Sequence, residues 1–463
     1  MQLFKAMEHM PLENYDEKKL GQKIPNLSVR KNELYETILT SLANRETENQ
    51  AIVMLGKLRW AGMLHYRKLF PEALSVLSEV EDWAREQNQL YIEGVILQYK
   101  AFFANTGLYK NHNINFSGIG DSMVRNAQKI LHITEIYRQY VEVAKITRIS
   151  FLLRSAEEVQ RVNDLLQSPV YEKDLSDLPV SSRCFMHLSR YYLYKLKGEY
   201  EQAFSAAENC WKLMQDGTVN FSKRRPQEYL IGFVAYLAAC LDSKRLDECK
   251  KWLPEMRKLW LNNYHGHAVV GGKYYSLWLA CHYLDAKKHY IVAVTDEVMQ
   301  FHAKHEAILE EGGEGRGLKY LLMLSYFQQK DLINAWDYCR MILNSSATAS
   351  RRELYDCTRL VFLFILFESG KFDELEYQCR QLTGFIRKKN GKEYLLERIL
   401  LKHLTGIHGK ANLRKERRTM MINLSKDLQS LSIGENHCAK QLLHCFDFIN
   451  YAREKAKISP AMR

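Results

Sequence analysis

The sequence predicts an all-α protein, built as an α-solenoid of stacked antiparallel helix pairs. The 463-residue chain contains only eight prolines. Long stretches place apolar residues at the three- and four-residue steps of an amphipathic helix. A helix–turn–helix pattern also recurs with a period of 40 to 46 residues. Because each pair has an apolar face that it cannot bury alone, repeated pairs are expected to stack on one another.

The clearest helix pair covers residues 184–211, CFMHLSRYYLYKLKGEYEQAFSAAENCW. Apolar residues from Phe185 to Leu196 fall on one face of a first helix. Gly198 then ends that helix cheaply, because glycine tolerates a positive φ. Small residues of the second helix allow close helix–helix approach. An aromatic residue and these small residues follow in helical spacing: Tyr200, Ala203, Ala207 and Cys210.

Variants of this pair recur downstream at falling distances of 46, 44, 42 and 40 residues. The position of Tyr200 is repeated at Leu246, Tyr290, Leu332 and Phe372. The small-residue position three further on holds Cys249, Ala293, Ala335 and Leu375. The turn position holds Gly198, Lys244, Lys288, Lys330 and Gly370. An earlier copy begins at Phe70, which predicts further pairs N-terminal to residue 184.

This pattern resembles the tetratricopeptide repeat, and the chain looks like the bacterial repeat proteins of that superfamily. The resemblance covers roughly residues 50–382. The period of that family is about 34 residues, so the helices or the loops of this chain are expected to be longer. The resemblance implies a concave groove that is lined by the first helix of each pair and binds an extended peptide or a helix.

Three regions are expected along the chain: an N-terminal arm and helix over residues 1–46, the tetratricopeptide-like array over residues 47–382, and a basic helical cap over residues 383–463. The cap contains 17 Lys or Arg against 7 Asp or Glu. Separate helices are predicted over residues 122–137 and 140–153, and one final helix over residues 436–455.

The composition favours a cytoplasmic protein without a membrane span. The chain has no run of about 18 apolar residues, and its N-terminus lacks the apolar core of a signal peptide. Ten cysteines are scattered through helical segments without a CxxC pair. In a chain of this length they are expected to be small buried hydrophobic residues in a reducing compartment.

The sequence contains no convincing pattern of metal ligands, and no metal or other cofactor is expected. His437 and Cys438 lie about 10.5 Å along a helix from His444 and Cys445. That distance is too long for one zinc ion, whose ligand bonds are near 2 Å. His302, His305 and Glu306 share a helical face but have no identifiable further ligand. Packed helix faces explain both groups better.

Motifs for phosphate binding and catalysis also fail, so an enzyme is not expected. Residues 266–274, GHAVVGGKY, have glycine spacing one residue too long for a phosphate-binding loop, and Tyr274 stands where Ser or Thr is required. We interpret this stretch as a loop before a helix. Residues 310–317, which contain four glycines, are interpreted as a flexible loop. No catalytic dyad lies in a recognisable strand–turn–helix setting.

Two surfaces are candidates for binding. The resemblance implies groove positions for a protein or peptide partner, although the same aromatic residues could instead pack between neighbouring long helices. These positions are Tyr192, Lys195, Tyr275, Trp278, His282, Tyr320 and Phe327. The second candidate is a basic surface that would suit nucleic acid or another polyanion. It consists of Arg387, Lys388, Lys389, Arg414, Lys415, Arg417 and Arg418.

The sequence therefore favours a non-enzymatic scaffold or adaptor that binds a protein or peptide in its concave groove. The alternative is nucleic-acid or ribonucleoprotein binding through the basic C-terminal region. A regulatory domain that needs a separate effector protein is a third reading, and it ranks lower because no DNA-binding helix pair precedes the array.

Overall fold

The structure is a computed structural model. It describes residue 22 and residues 25–45, 50–105, 118–172, 176–217, 220–263, 267–285, 288–312, 314–345, 351–389, 393–405, 414–433 and 436–456. These residues form helices joined by short turns, and they contain no strand. The all-α class predicted from the sequence is confirmed. The chain divides into two compact units, residues 1–131 and 132–463.

Unit 1 begins with antiparallel helices around a small core. Helix α2 packs on α3, and α3 packs on α4. Leu58, Ala61, Leu77 and Phe103 are buried at the centre of this core. The helices that begin in unit 1 are α1 (Leu27–Arg45), α2 (Gln50–Tyr66), α3 (Phe70–Glu86), α4 (Leu90–Asn105) and α5 (Ile119–Ile149).

Unit 2 contains the regular array and the C-terminal helices. Its helices are α6 (Ala156–Leu166), α7 (Val180–Lys197), α8 (Tyr200–Gln215), α9 (Phe221–Arg224), α10 (Pro226–Asp242), α11 (Leu246–Asn263), α12 (Ala268–Asp285), α13 (Lys288–Gly312), α14 (Glu314–Gln328), α15 (Leu332–Asn344), α16 (Arg352–Glu368), α17 (Phe372–Arg387), α18 (Leu395–Leu404), α19 (Arg414–Ile433), α20 (His437–Cys445) and α21 (Phe448–Ala456).

The array of unit 2 has two layers. Helices α7, α10, α12, α14 and α16 form an inner layer, in which each helix contacts the next. Helices α8, α11, α13, α15 and α17 form an outer layer, and each packs on the inner helix that precedes it. Consecutive pairs therefore stack side by side, which confirms the solenoid-like arrangement of helix pairs.

The second helix of most pairs begins at the residue that the repeat predicted. Helices α3, α8, α11, α15 and α17 begin at Phe70, Tyr200, Leu246, Leu332 and Phe372. The small-residue position three further on is fully buried in each of them. It holds Ala73, Ala203, Cys249, Ala335 and Leu375. Tyr290 and Ala293 belong to α13, and their side chains lie outside the described residues.

The turns within the pairs share one backbone geometry. The turn residue has a positive φ at Lys68, Gly198, Lys244, Lys330 and Gly370. At Gly198 the backbone N–H donates to the Lys195 carbonyl at 3.0 Å, and the Glu199 N–H donates to the Tyr194 carbonyl at 2.9 Å. The other four turns make the same two bonds. These bonds use carbonyl groups at the end of the first helix that have no partner within it.

Two glycine-rich stretches that were predicted to be loops are largely helical, so both predictions are wrong. Helix α12 already begins at Ala268, and Gly271 lies inside it. A Cβ at Gly271 would lie 2.6 Å from Phe301 and 2.7 Å from Trp260, so glycine permits close packing against two outer helices. In the second stretch, α13 continues to Gly312 and α14 begins at Glu314.

Two predicted helix boundaries also differ from the structure. A single helix, α5, replaces the two helices expected over residues 122–137 and 140–153. The final helix expected over residues 436–455 is broken between α20 and α21. Phe446 has an extended backbone there, and the Asp447 side chain accepts from the Asn450 N–H at 2.8 Å. Asp447 thereby caps the start of α21.

The connection between α5 and α6 joins the first part of unit 2 to the last. Arg154 pairs with Asp356 of α16 at 2.8 Å and with Glu397 of α18 at 3.0 Å. The Phe151 N–H donates to Glu353 of α16 at 3.4 Å. Removal of one member of such a buried ion-pair group would leave a buried charge without its partner and would destabilise the folded protein.

Candidate binding surfaces

The inner layer of unit 2 faces a cavity of about 1010 Å³. Side chains of α5, α7, α10, α12 and α14 form its walls. A stretch that we call the C-terminal segment, residues 436–456, forms a further wall. Helix α20 of this segment contacts both α7 and α16, the first and the last inner helices. The segment therefore crosses the inner face from one end of the array to the other.

The structure places the seven predicted groove residues in three settings. Tyr192, Lys195 and Tyr320 line the cavity. Phe327 lies against the C-terminal segment, with its ring centroid 6.0 Å from Phe446 and 5.8 Å from Tyr451.

The three predicted residues of α12 point away from the cavity towards other aromatic side chains. The Tyr275 hydroxyl donates to Glu297 of α13 at 2.9 Å, and its ring lies 4.6 Å from Phe301. Trp278 stacks on Tyr274, and His282 lies 5.2 Å from Trp278.

The cavity side of α12 is rotated by about one position from the predicted side. Its lining residues are Lys273, Ser276, Leu277, Ala280, Tyr283 and Leu284. They follow the three- and four-residue steps of one helical face. Small residues at Ser276 and Ala280 leave room for the cavity, whereas the aromatic residues pack against the outer layer. The positions of the small residues are the sequence signal that could have shown this orientation.

Hydrogen bonds fix the C-terminal segment to the first inner helix. Gln441 Nε2 donates to the carbonyls of Lys195 and Leu196 at the end of α7, the former at 3.3 Å. Its Oε1 accepts from the Leu153 N–H at 3.3 Å. His437 Nδ1 lies 3.0 Å from the Lys197 carbonyl. A side chain of the segment thus satisfies carbonyls at a helix end that have no partner within the helix.

Other contacts fix the segment to the later inner helices. The Tyr320 hydroxyl of α14 donates to the Cys445 carbonyl at 3.1 Å and lies 3.0 Å from the Cys357 sulfur. The Tyr451 hydroxyl donates to Glu368 at the end of α16, and Lys455 pairs with the same carboxylate at 2.6 Å.

A carboxylate at the end of α10 joins three elements beside the cavity. Asp242 pairs with Lys195 of α7 at 2.5 Å and lies 3.2 Å from His444 Nε2 of α20. Tyr200 stacks on His444 with ring centroids 4.1 Å apart. Burial opposes ionisation of Asp242, but attraction to Lys195 and the hydrogen bond from His444 outweigh it and lower the pKa of Asp242 to about 2.

Six tyrosines contribute phenol groups to the cavity wall. Burial raises the pKa of Tyr192, Tyr200 and Tyr283 well above the usual value for tyrosine. These phenols therefore remain neutral near pH 7, where each can donate and accept hydrogen bonds.

The predicted basic surface is divided between exposed side chains and side chains that pack within the chain. Arg387, Lys388, Lys389 and Lys415 are exposed. In contrast, Arg417 is half-buried, and its guanidinium lies 5.0 Å from the Phe372 ring centroid. Arg418 is exposed, but its Nε donates to the Ala456 carbonyl at 3.2 Å. The side chain of Arg414 lies outside the described residues. Two of the seven cations thus have structural contacts.

The residues considered as metal ligands do not form a site in the part of the chain that the structure describes. No group of three or more His, Cys, Asp or Glu side chains there could hold a metal ion. His302 is buried, and His305 lies at a kink in α13. His437 and His444 bond to Lys197 and Asp242 as described above.

Unit 1 carries a second candidate surface, which we call the α2–α4 face. Exposed apolar residues follow one side of α2, and α4 carries further exposed apolar residues. The His65 ring lies 5.1 Å from Phe102 and 5.9 Å from Tyr66 and so connects the two helices. The exposed residues are Ile52, Leu55, Trp60, Met63 and Tyr66 on α2, with Tyr91, Val95 and Phe102 on α4.

The charge along the α2 side of this face is positive. Helix α2 contains no acidic residue. Arg59, Arg67 and Lys68 are exposed along or beside it, and none of them forms an ion pair with a described residue. The face thus combines large apolar side chains with cations at its border.

Comparison of the chain with protein-family models, with curated proteins and with solved structures finds no match to any of them. Among the described helices, none has the length and apolar character needed to cross a membrane.

Proposed function

We propose that the protein is a non-enzymatic helical-repeat scaffold of the tetratricopeptide-like class that binds a protein partner. The observation that carries this proposal is the α2–α4 face. Trp60 and Tyr66 are 56% and 79% exposed, although large aromatic residues of this kind are normally covered. A contiguous exposed apolar surface is characteristic of protein-binding sites, and Trp and Tyr contribute strongly to binding energy.

The chemistry of the face indicates the kind of partner. An amphipathic helix with an apolar stripe would pack along α2, as helices pack in other helical grooves. Acidic residues beside that stripe would lie near Arg59, Arg67 and Lys68. Opposite charges at the border of an interface increase the association rate and exclude wrong partners. We therefore propose an acidic amphipathic helix of another protein as the partner element.

The inner groove is the second candidate for a peptide partner, as expected from the sequence. This candidate is supported by Tyr192, Lys195 and Tyr320, which line the cavity wall. The C-terminal segment already contacts Tyr320 and Phe327 there. A long peptide in this groove would have to displace that segment, so the α2–α4 face has the stronger support.

Nucleic-acid binding through the basic C-terminal region is the weaker alternative. Exposed Arg387, Lys388 and Lys389 at the end of α17 support it. The contact of Arg417 with Phe372 and the hydrogen bond from Arg418 to the Ala456 carbonyl count against it, because both side chains already have partners within the chain. The cytoplasmic location also belongs to the proposal. It is supported by ten cysteines without a disulfide, nine of which are buried.

The proposal is tested by removing the aromatic side chains of the face. The Trp60→Ser, Tyr66→Ser double variant is expected to lose about tenfold or more in affinity for the partner. The control is the Tyr377→Ser, Ile333→Ser double variant, which removes equally exposed side chains from the outer layer of unit 2. Proteins captured by the wild-type chain are identified, and each complex is reconstituted from purified components and measured by calorimetry.

A reconstituted complex that is equally sensitive to both double variants, or to neither, would remove the support for this face. Sedimentation of the purified chain tests a further reading. If the wild type forms dimers and the Trp60→Ser, Tyr66→Ser variant is monomeric, the face is an interface between two copies and the partner assignment is wrong.

A further inference from the structure

The cavity of unit 2 has a strongly unbalanced charge. Seven Lys or Arg side chains line it, against two Asp. One of the two, Asp242, is paired with Lys195 at 2.5 Å. The other, Asp447, accepts from a backbone N–H at the start of α21. Like charges that surround a low-dielectric cavity repel one another, so an anionic occupant would be stabilised there.

Several of these cations form no ion pair within the part of the chain that the structure describes. Arg351 uses its Nε for Glu353 at 2.5 Å. Four others form no ion pair with any residue that the structure describes, and they come from four different elements around the cavity. They are Arg148 of α5, Lys244 of the turn before α11, Lys440 of α20 and Arg453 of α21. Because they approach from different sides, one compact ligand could contact several of them.

The wall between the cations supplies neutral donors and an apolar surface. The phenols of Tyr192, Tyr200 and Tyr283 and the hydroxyl of Ser276 face the cavity. The Ser276 Oγ is buried and makes no hydrogen bond within the described part of the chain. Arg and Lys side chains make strong charge-assisted hydrogen bonds to phosphate oxygens, and hydroxyl groups beside them can donate further bonds. Val234, Leu277 and Leu324 offer an apolar surface to the rest of a ligand.

We propose that this cavity binds a phosphorylated small molecule of nucleotide size, with its phosphates at the four unpaired cations and its apolar or ring portion against the tyrosine and aliphatic wall. The volume of about 1010 Å³ is at the upper end of the usual range for small-molecule sites. It is too small for a folded partner or a nucleic-acid duplex. The site is separate from the α2–α4 face and does not depend on the proposed protein partner.

Calorimetry of the purified full chain tests the proposal without any partner protein. ATP, inorganic pyrophosphate and adenosine serve as probes, at salt concentrations of about 50 and 150 mM. We expect saturable binding of one ATP per chain, weaker binding of pyrophosphate, and no binding of adenosine. The Lys440→Gln, Arg453→Gln double variant is expected to weaken ATP binding about tenfold or more.

The control removes the same charge elsewhere. Lys304 and Lys426 are exposed, form no ion pair with a described residue, and do not line the cavity. The Lys304→Gln, Lys426→Gln double variant should bind ATP as the wild type does. If the first variant fails to fold, the Arg148→Gln, Lys244→Gln variant at the exposed rim replaces it, with the same loss expected.

Three results would overturn the proposal. The first is that a folded wild-type chain binds neither ATP nor pyrophosphate at about 1 mM. The second is an equal loss in the cavity variant and in the control, because diffuse attraction to net positive charge would then explain the binding. The third is binding of a single-stranded oligonucleotide without binding of ATP, which would assign the cations to nucleic acid.

Discussion

At some turns of the array, the residue type does not suit the backbone conformation. Five turns have the same positive φ and the same two hydrogen bonds, but only two of them use glycine. Lys68, Lys244 and Lys330 adopt a left-handed conformation in which Cβ approaches the following carbonyl. Burial of the adjacent helix faces therefore holds these residues in a conformation that glycine would adopt at lower cost.

Replacement of Lys330 by glycine should stabilise unit 2 by about 0.5 to 1 kcal/mol, because relief of the left-handed strain exceeds the added entropy of the unfolded chain. The Lys330 side chain is exposed and forms no ion pair with a described residue, so its loss has little other effect. Urea unfolding measures the change. Lys330→Ala retains the strain and should show no gain.

Lys426→Gly is the matched control, since Lys426 is exposed within helix α19. Glycine inside a helix should cost about 1 kcal/mol, so the two substitutions have opposite expected signs. Destabilisation by Lys330→Gly would show that the lysine side chain itself holds the turn.

At the scale of elements, the C-terminal segment is attached to the array by polar contacts at defined helix ends. Asp242 ends α10, Lys195 lies in the last turn of α7, and His444 lies in the last turn of α20. Cations near the C-terminal ends of helices are favoured by the helix dipole. The Asp242 carboxylate contacts Lys195 and the His444 ring and therefore links three helix ends at one point beside the cavity.

Asp242 should make the stability of unit 2 depend on pH. The pKa of Asp242 is lowered from an ordinary value of 3.8 to about 2 in the folded chain, so the unfolded state binds its proton first as the pH falls. Its contribution, roughly 2 kcal/mol, is fully present above about pH 5 and is lost as the pH falls towards 2.

Urea unfolding at several pH values measures this effect. The difference in the free energy of unfolding between the wild type and Asp242→Asn should decrease from about pH 5 to about pH 3. Asp337→Asn is the control, because Asp337 is exposed on α15 and forms no ion pair with a described residue. Its difference from the wild type should stay near zero throughout. A gap for Asp242→Asn that does not change over this range would contradict the linkage.

Local features of the fold could be read from the sequence, whereas long-range features could not. Helix starts at Tyr200, Leu246, Leu332 and Phe372 follow from spacing and turn chemistry. By contrast, Phe151 bonds to Glu353 across 202 residues, and Leu153 bonds to Gln441 across 288. No periodicity encodes such pairing.

The rotation of an inner helix about its own axis could not be predicted from the sequence either. On α12 the groove was assigned to aromatic residues such as Tyr275, because aromatic residues suit both a binding groove and a core. In the structure the side chain of Tyr275 packs against Phe301 of the outer layer, and smaller residues face the cavity. Composition alone does not distinguish the two faces of an inner helix, since both are covered by other helices.

At the scale of the whole of unit 2, the C-terminal segment changes how an array of repeats is expected to unfold. In an open solenoid each pair contacts only its neighbours, so distant pairs can unfold separately. Here α20 contacts both α7 and α16, and Arg154 contacts α16 and α18. The first and last inner helices are therefore coupled through contacts that bypass the helices between them.

Removal of the bridging hydrogen bonds should uncouple the two ends of the array. In the wild type, slow hydrogen exchange in peptides from α7 and α16 should report the same opening free energy. In the His437→Ala, Gln441→Ala variant, the Leu196 and Lys197 carbonyls at the end of α7 lose their side-chain partners, which should cost about 1 to 3 kcal/mol there. Exchange in α7 should then quicken while exchange in α16 stays closer to the wild-type rate.

Gln202→Ala, at an exposed position of α8, is the control and should leave exchange in both helices unchanged. Equal acceleration in α7 and α16 would mean that the inner layer itself carries the cooperativity and that the C-terminal segment only covers it.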